Sequence, residues 1–301
     1  MIYHVRHRSI LRYGAPVRVA RFNVRLRPMA WAGQWTADYS LSVDPAPLSI
    51  EARPGAWPVH VERLVIDQPL RQLTIESRFR AGVAGGAPIL PQADDPSIAM
   101  VARAALADRD ISASAPAQFL YASPRAPMLD AIGSWAGAML APDRPIVAAA
   151  WELAQRIKAE FVYDPSATDA GTPVADAFAA RHGVCQDFAH VMVVALRLVG
   201  LPAAYVSGYL RTYPPPGMPR LVGADAMHAW VMLWCGPTRG WIGFDPTNGV
   251  ITGEDHLFIA MGRDYADVAP MDGLFVGGSG QSISVAVDVV PEDETAKEEV
   301  A

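Results

Sequence analysis

Hydrophobic and polar residues alternate along the first eighty residues of the chain, which is the pattern of half-buried β-strands. Residues 20–27 alternate strictly, and residues 39–43, 59–66 and 73–79 follow the same two-residue period. Turns that contain Pro and Gly separate these runs. The pattern predicts an antiparallel, sandwich-like β domain over residues 1–90.

A helical period replaces the two-residue period after residues 81–88, a stretch rich in Gly and Ala that predicts a linker. Apolar residues then recur at helical spacing over 128–140, 145–161 and 185–199. The third segment is the clearest helix, because Gly200 follows it as a helix terminator.

The two-residue period returns after this helix. Strands are predicted at residues 204–210, 229–234, 241–244 and 283–289. A Pro-rich loop at 214–217 interrupts them, and the last strand has no docking partner that the sequence reveals. The chain is therefore expected to be α+β, with a core domain over 91–270. A C-terminal strand and acidic tail are expected over 271–301.

Composition narrows the class of protein. The 301 residues are 51% hydrophobic and 19% charged, with a net charge of −6, so a large core is available and global disorder is excluded. A block of basic residues interleaved with aromatic ones is absent, which argues against nucleic acid as a partner. The sequence has neither a signal peptide pattern nor an apolar run of membrane-spanning length, and a cytoplasmic location is expected.

Cys185 is the residue that points most directly to chemistry. It follows Gly183 and Val184 and opens the helical period, so its thiol is expected on the first turn of a helix. The unpaired N–H groups and the dipole of a helix N-terminus favour a thiolate, which is the nucleophilic form. Asp187 opposes a second negative charge there, so the thiol needs an imidazolium beside it.

His228 and Asp245 are the expected partners of that thiol. If His228 lies opposite Asp245 in a hairpin, residues 235–238 form a four-residue turn between the two strands. A register shift of two residues would still leave the side chains as diagonal neighbours. Cys235 falls at the turn and on the other face. A Cys, a His and an Asp in these places predict a nucleophile, a base and an orienting acid.

An acyl-transfer site also needs hydrogen-bond donors for the oxyanion. The backbone N–H of Cys185 is the first candidate, and the side chains of Tyr163 and Gln186 are the rival candidates for the second. A metal site built on Cys185, His228 and Asp245 is a distant alternative, because paired Cys-x-x-Cys or His-x₃-His spacing is absent. The less specific alternatives are a buried structural Cys185 and an Asp245 that only begins a turn.

Four sequence blocks and the N-terminal start closely resemble the bacterial transglutaminase-like superfamily and its N-terminal domain. These blocks are residues 183–190, 200–209, 228–230 and 245–248, preceded by the start at 3–7. The resemblance covers most of residues 1–270. It implies a papain-like α+β core in which a central helix carries the Cys against an antiparallel sheet. It assigns the nucleophile to Cys185, the base to His228 and the orienting acid to Asp245.

The resemblance further implies an acyl-enzyme formed from an amide of a protein or peptide substrate. Hydrolysis is the favoured outcome, because water is always present as the acceptor. Transamidation of protein glutamine and deamidation are the alternatives, and a non-catalytic scaffold that retains the fold is a third reading. A calcium-loop pattern is absent from the sequence, and neither a cofactor nor a metal is expected.

Overall fold

A computed structural model describes residues 1–85, 89–213, 223, 225–277 and 280–294. A short 3₁₀ turn also forms at Pro116–Phe119. The other elements, in chain order, are β1 (Ile2–Val24), β2 (Gln34–Asp44), β3 (Ser49–Pro54), β4 (His60–Ile66), β5 (Leu70–Val83), α1 (Ile98–Ala107), α2 (Asp130–Ala136), α3 (Ile146–Glu160), β6 (Val162–Tyr163), α4 (Val174–Ala180), β7 (His182–Gly183), α5 (Cys185–Leu198), β8 (Ala203–Leu210), β9 (Ala226–Trp234), β10 (Trp241–Asp245), β11 (Val250–Ile251), β12 (His256–Gly262), α6 (Tyr265–Val268), β13 (Met271–Gly277) and β14 (Gln281–Pro291).

The N-terminal strands form one antiparallel sheet organised around β1, which is 23 residues long. The first half of β1 pairs with β5 and β14, and its second half pairs with β4 and β13. The register shifts between Arg12 and Val17, where Gly14 and Pro16 interrupt the ladder. Side chains from both halves meet in one hydrophobic cluster, Leu11 and Phe22 among them. The domain predicted to be sandwich-like is therefore built on one sheet, in which the long strand β1 pairs with different strands along its length.

The two C-terminal strands return to this N-terminal sheet. Tyr3 lies opposite Pro291 on β14, and Val24 lies opposite Met271 on β13. The late strand predicted at residues 283–289 thus lies within β14 and docks on β1. Pairings this distant along the chain leave no local signal in the sequence. The boundaries predicted at residues 90 and 270 stay predictions.

The second sheet is antiparallel, with the strand order β11-β10-β9-β8-β12, and α5 packs against it. Residues 186–197 of α5 are all buried, so this helix is enclosed on every side. It ends before Gly200, whose φ of 77° is the left-handed conformation that a glycine terminator adopts at least cost. The mixed architecture confirms the predicted α+β class, with a central helix against an antiparallel sheet.

One hydrophobic cluster spans both sheets. Tyr3 and Phe79 from the first sheet belong to the same buried cluster as Val191 of α5 and Val231 of β9. Burial of one large apolar side chain of this kind contributes about 1.5–3 kcal/mol to the free energy of unfolding. The contact between the N-terminal sheet and the helical core is therefore part of what stabilises the fold.

The helices predicted at 145–161 and 185–199 are confirmed as α3 and α5, and the one predicted at 128–140 is shorter. Residues 86–88 of the predicted linker, the Pro-rich loop at 214–217 and residues 295–301 of the predicted tail lie outside the described residues. Among the residues that are described, none of the helices is both long and apolar enough to cross a bilayer.

Candidate active site

The helix that carries Cys185 begins in a capped turn. Val184 is the N-cap residue, and its backbone N–H donates to Asp187 Oδ2 at 2.9 Å. The hydroxyl of Thr168 donates to the same oxygen at 2.6 Å. A Cβ at Gly183 would lie 2.5 Å from Asp187 Oδ2, so the cap requires glycine at that position. Cys185 follows as the first helical residue, with its thiol free and partly exposed.

Neighbouring strands β9 and β10 carry His228 and Asp245. Phe244 lies opposite Val231, whereas the hairpin expected from the sequence would place it opposite Ala229. The expected register was therefore wrong by two residues. An even shift keeps each side chain on its face of the sheet, so His228 and Asp245 remain diagonal neighbours.

His228 Nε2 donates to Asp245 Oδ2 at 2.8 Å, and the Asp245 carboxylate is fully buried. Two backbone amides, Thr247 N at 2.9 Å and Asn248 N at 3.1 Å, donate to Asp245 Oδ1. The side-chain amide of Asn248 donates to Oδ2 at 2.7 Å. The Asp-Pro-Thr-Asn segment thus folds back on its own carboxylate and fixes the plane that faces the imidazole.

Electrostatics in this cluster favour an imidazolium at His228. Burial lowers the pKa of His228, but hydrogen bonds with Asp245 and with the Cys185 thiol outweigh burial and raise it to about 10. Burial alone would raise the pKa of Asp245, yet its hydrogen bonds with His228 and His256 hold it well below the ordinary value. Because Nε2 of His228 donates its hydrogen bond to Asp245, Nδ1 is the ring nitrogen left to interact with the Cys185 thiol.

His256, at the start of β12, is the member of this cluster that the sequence analysis missed. Its Nε2 lies 3.1 Å from Asp245 Oδ2, and its side chain is 8% exposed. The sequence indicates this residue only weakly. His256 precedes the apolar run at 257–261, which has the length and composition of a buried strand but does not alternate between apolar and polar residues.

The side chains of His228, Asp245 and His256 are also the types that bind transition metals, and their polar atoms lie within 4.8 Å of one another. The backbone N–H of Gly253 donates to His256 Nδ1 at 3.3 Å, which places the ring hydrogen on Nε2, facing Asp245. A nitrogen that carries a hydrogen cannot be a ligand. Asn248 also donates to the same carboxylate oxygen. The cluster is therefore better described as a hydrogen-bonded network than as a metal site.

The two oxyanion candidates lie in different surroundings. The short parallel pairing of β6 with β7 places Tyr163 opposite Gly183, and the ring is half-exposed. Burial, and then the charge of Cys185, raise the pKa of the Tyr163 hydroxyl. Gln186 is buried, and its amide points at the carbonyl of Ala170, 3.5 Å away.

Two further tyrosines near the sulfur were not singled out from the sequence. Burial is the main cause of the raised pKa at both Tyr205 and Tyr265, and the charge of Cys185 adds to it at each ring. His190 stacks on Tyr205 at 4.9 Å and accepts the backbone N–H of Tyr265 at 3.2 Å. His190 therefore packs against both tyrosines near the sulfur.

The second cysteine lies away from this cluster. Cys235 is fully buried, its thiol donates to the carbonyl of Leu233 at 3.6 Å, and burial raises its pKa. A thiol in this state is a poor nucleophile, because the thiolate is strongly disfavoured. Both cysteines lie within the described residues, and of the two Cys185 is the accessible one.

Comparisons with known proteins show the family of the chain. Residues 134–246 match the family model of the transglutaminase-like superfamily, and residues 3–81 match that of the bacterial transglutaminase-like N-terminal region. An uncharacterised protein of Mycobacterium tuberculosis is 35% identical over 293 residues, covering 96% of this chain and 92% of that protein. A protein-glutamine gamma-glutamyltransferase of Pseudomonas aeruginosa is 39% identical over 99 residues, which are 32% of this chain and 15% of that enzyme.

A solved structure supports the fold over nearly the whole length. The crystal structure of a candidate cysteine protease from Cytophaga hutchinsonii superimposes with a TM-score of 0.72 at 20% identity. The superposition covers 97% of this chain and 92% of that one. The helix-start thiol, the strand histidine and both family matches lead to one conclusion: this chain belongs to the transglutaminase-like superfamily, with the bacterial N-terminal region of that group.

Proposed function

We propose that this chain is a cysteine hydrolase of protein or peptide amides, with Cys185 as nucleophile, His228 as general base and acid, and Asp245 as the orienting acid. The observation that carries the proposal is the 2.8 Å hydrogen bond from His228 Nε2 to the buried Asp245. That bond leaves the other ring nitrogen for the thiol of Cys185, which raises the pKa of the ring.

The proposed reaction has two halves. His228 takes the thiol proton, and the sulfur of Cys185 attacks the carbonyl carbon of the amide to give a tetrahedral intermediate. The imidazolium then protonates the leaving nitrogen, the carbon–nitrogen bond breaks, and an acyl-thioester remains on Cys185. His228 next deprotonates a water molecule, which attacks the thioester and releases a carboxylic acid and the thiol. Asp245 stays ionised and stabilises the imidazolium in both halves.

The oxyanion of the tetrahedral intermediate would be bound by the backbone N–H of Cys185, since first-turn amides of a helix have no acceptor within the helix. We propose the hydroxyl of Tyr163 as the second donor, because Gln186 is turned towards Ala170. A Tyr163→Phe variant should lose turnover by about 10-fold to 100-fold while the alkylation rate of Cys185 stays unchanged. An unchanged turnover would remove Tyr163 from the mechanism.

Transamidation is the second candidate, and the similarity to the Pseudomonas aeruginosa gamma-glutamyltransferase favours it. The two reactions share the acyl-enzyme and differ only in the acceptor, water or a primary amine. Mass spectrometry of glutamine-containing peptides, incubated with and without a primary amine, separates them. Cleavage of the peptide supports the proposed hydrolase, conversion of glutamine to glutamate supports a deamidase, and covalent incorporation of the amine supports transamidation. A Cys185→Ser variant is the control for all products.

Reactivity of the thiol tests whether the site is catalytic at all. Cys185 should react with iodoacetamide at pH 7 about tenfold or more faster than in a His228→Ala variant, because a free thiol is only a few per cent ionised there. The buried Cys235 contributes little background, and the Cys185→Ser variant measures it. Equal, slow labelling of the wild type and the His228→Ala variant would support a scaffold without catalytic machinery.

A further inference from the structure

A second imidazole is bound to the carboxylate that orients His228. His256 Nε2 lies 3.1 Å from Asp245 Oδ2, the same oxygen that accepts from His228 at 2.8 Å. His256 begins β12, the edge strand on the opposite side of β8 from β9. The two rings therefore reach the carboxylate from different strands of the sheet.

The hydrogen on His256 is placed by its surroundings. The Gly253 backbone N–H donates to Nδ1 at 3.3 Å, so Nδ1 carries the lone pair and Nε2 carries the hydrogen. Nε2 therefore donates to Asp245. Trp230 packs edge-on against the ring, with centroids 5.3 Å apart, and the side chain is 8% exposed. A buried ring with both nitrogens hydrogen-bonded is fixed in orientation.

Such a donor has a specific use in a Cys-His-Asp site. His228 must rotate slightly and exchange protons with the sulfur and the substrate during the reaction. Two backbone amides hold Asp245 Oδ1, but Oδ2 is the oxygen that His228 contacts. The side-chain amide of Asn248 also donates to Oδ2, from the turn that contains Asp245 itself. His256 adds a donor from another strand that takes no part in proton transfer, and it helps to keep this oxygen in place while His228 moves.

The position of His256 is in turn fixed by the N-terminal part of the chain. The side-chain amide of Gln34 pairs with the backbone of Phe258, two residues after His256, donating to its carbonyl at 2.7 Å and accepting its N–H at 2.8 Å. Trp31 stacks on the Phe258 ring at 4.5 Å. These contacts satisfy backbone groups on the outer edge of β12, which would otherwise face solvent.

We propose that His256 is a positioning residue: it donates a hydrogen bond to Asp245 Oδ2 and thereby holds the carboxylate in the orientation that His228 requires. This inference rests on the proposed function, because it assigns His256 a role within that same site. It also gives the N-terminal region a role in the activity, since that region holds the strand from which His256 projects.

The test compares three variants of the full-length chain in the iodoacetamide reaction of Cys185. His256→Leu removes the donor, and alkylation at pH 7 should slow about tenfold, as expected for the loss of a buried hydrogen bond to a charged group. His256→Gln places an amide N–H near the position of Nε2 and should stay within about threefold of the wild type. His256→Asn, whose amide is one bond too short to reach Asp245, should behave as the leucine variant does.

The outcomes separate this inference from the proposed function. A fast wild type, a slow His256→Leu variant and a restored His256→Gln variant support the positioning role. Wild-type rates in both His256→Leu and His256→Asn, or equal slowing in His256→Gln, overturn it while the proposed function stands. A wild type as slow as His228→Ala instead overturns the proposed function. Circular dichroism and thermal melting establish that each variant is folded, and the asparagine variant replaces the leucine variant if the latter does not fold.

Discussion

Replacement of Asp245 by asparagine is the perturbation whose effect the structure defines most closely. The two carboxylate oxygens accept five hydrogen bonds, and every partner is an N–H group. An asparagine amide has nearly the same shape but presents an NH₂ group in place of one oxygen. Whichever way the amide is turned, that NH₂ group faces at least two donors, so the variant cannot satisfy the network.

The tautomer of His228 determines the chemical consequence. If the amide NH₂ takes the place of Oδ2, it can donate to His228 Nε2 only when the ring hydrogen is on Nδ1. That hydrogen then faces the thiol, and the ring can no longer accept the proton of Cys185. In the opposite amide orientation the hydrogen bond to His228 survives, but the negative charge that stabilises the imidazolium is lost.

The size of the effect follows from the pKa of His228. Its net rise from 6.5 to about 10 corresponds to about 5 kcal/mol at about 1.4 kcal/mol per pH unit, and Asp245 and Cys185 together produce this rise against the opposing effect of burial. If Asp245 supplies half of it, Asp245→Asn weakens the imidazolium by about 2–3 kcal/mol. At pH 7 the alkylation of Cys185 should then fall about 10-fold to 100-fold.

The assay is the second-order rate of iodoacetamide labelling of Cys185, followed by mass spectrometry from pH 4 to pH 10. The wild type should react faster than Asp245→Asn at neutral pH, because the Asp245 carboxylate stabilises the imidazolium beside the sulfur. The exposed Asp38 offers a matched control, because its Asn variant should leave the profile unchanged. An Asp245→Asn profile that coincides with the wild type would refute the assigned role of Asp245.

Three further results are expected. Gly183→Ala should lower the free energy of unfolding by about 1–3 kcal/mol in urea, because the new methyl group meets the capping carboxylate, whereas Gly253→Ala has open space and should be near neutral. Gln34→Leu should cost about 1–3 kcal/mol and also slow alkylation, whereas the exposed Gln68→Leu should do neither. The raised pKa of His228 stabilises the fold below pH 6.5, and this stability is lost as the pH rises towards about 10. A His228→Gln variant should therefore unfold with a weaker pH dependence across that window, and an unchanged slope would contradict the shift.

The sequence was sufficient for the parts of the site that local pattern encodes. The start of α5 follows from Gly183 and the apolar period after Cys185, and the helix does begin at Cys185. His228 and Asp245 were paired from hairpin length and strand parity. The register was wrong by two residues because turn length constrains it less strictly than side-chain parity does.

Other features depend on contacts that are distant along the chain. The 23-residue strand β1 was predicted only in part, as the alternating run at residues 20–27, and Gly14 and Pro16 before this run have the composition of a turn. In the structure they lie where β1 exchanges one set of partners for another. The docking of β14 on β1 and the contact of His256 with Asp245 likewise depend on the tertiary arrangement, which hydrophobic periodicity does not report.

The hydrogen bonds of Asp245 likewise include some that come from neighbouring residues and some that come from distant parts of the chain. Oδ1 is held by amides two and three residues further along the chain, an arrangement that the Asp-Pro-Thr-Asn segment forms by itself. Oδ2 accepts one local bond, from the side chain of Asn248, and two bonds from rings on β9 and β12. The strand β12 is itself held by Gln34. On the role proposed for His256, docking of the N-terminal sheet therefore contributes to the orientation of the carboxylate. The N-terminal region completes the edge of the sheet from which the second imidazole projects, and on the proposed role of His256 this contact is how that region acts on the site.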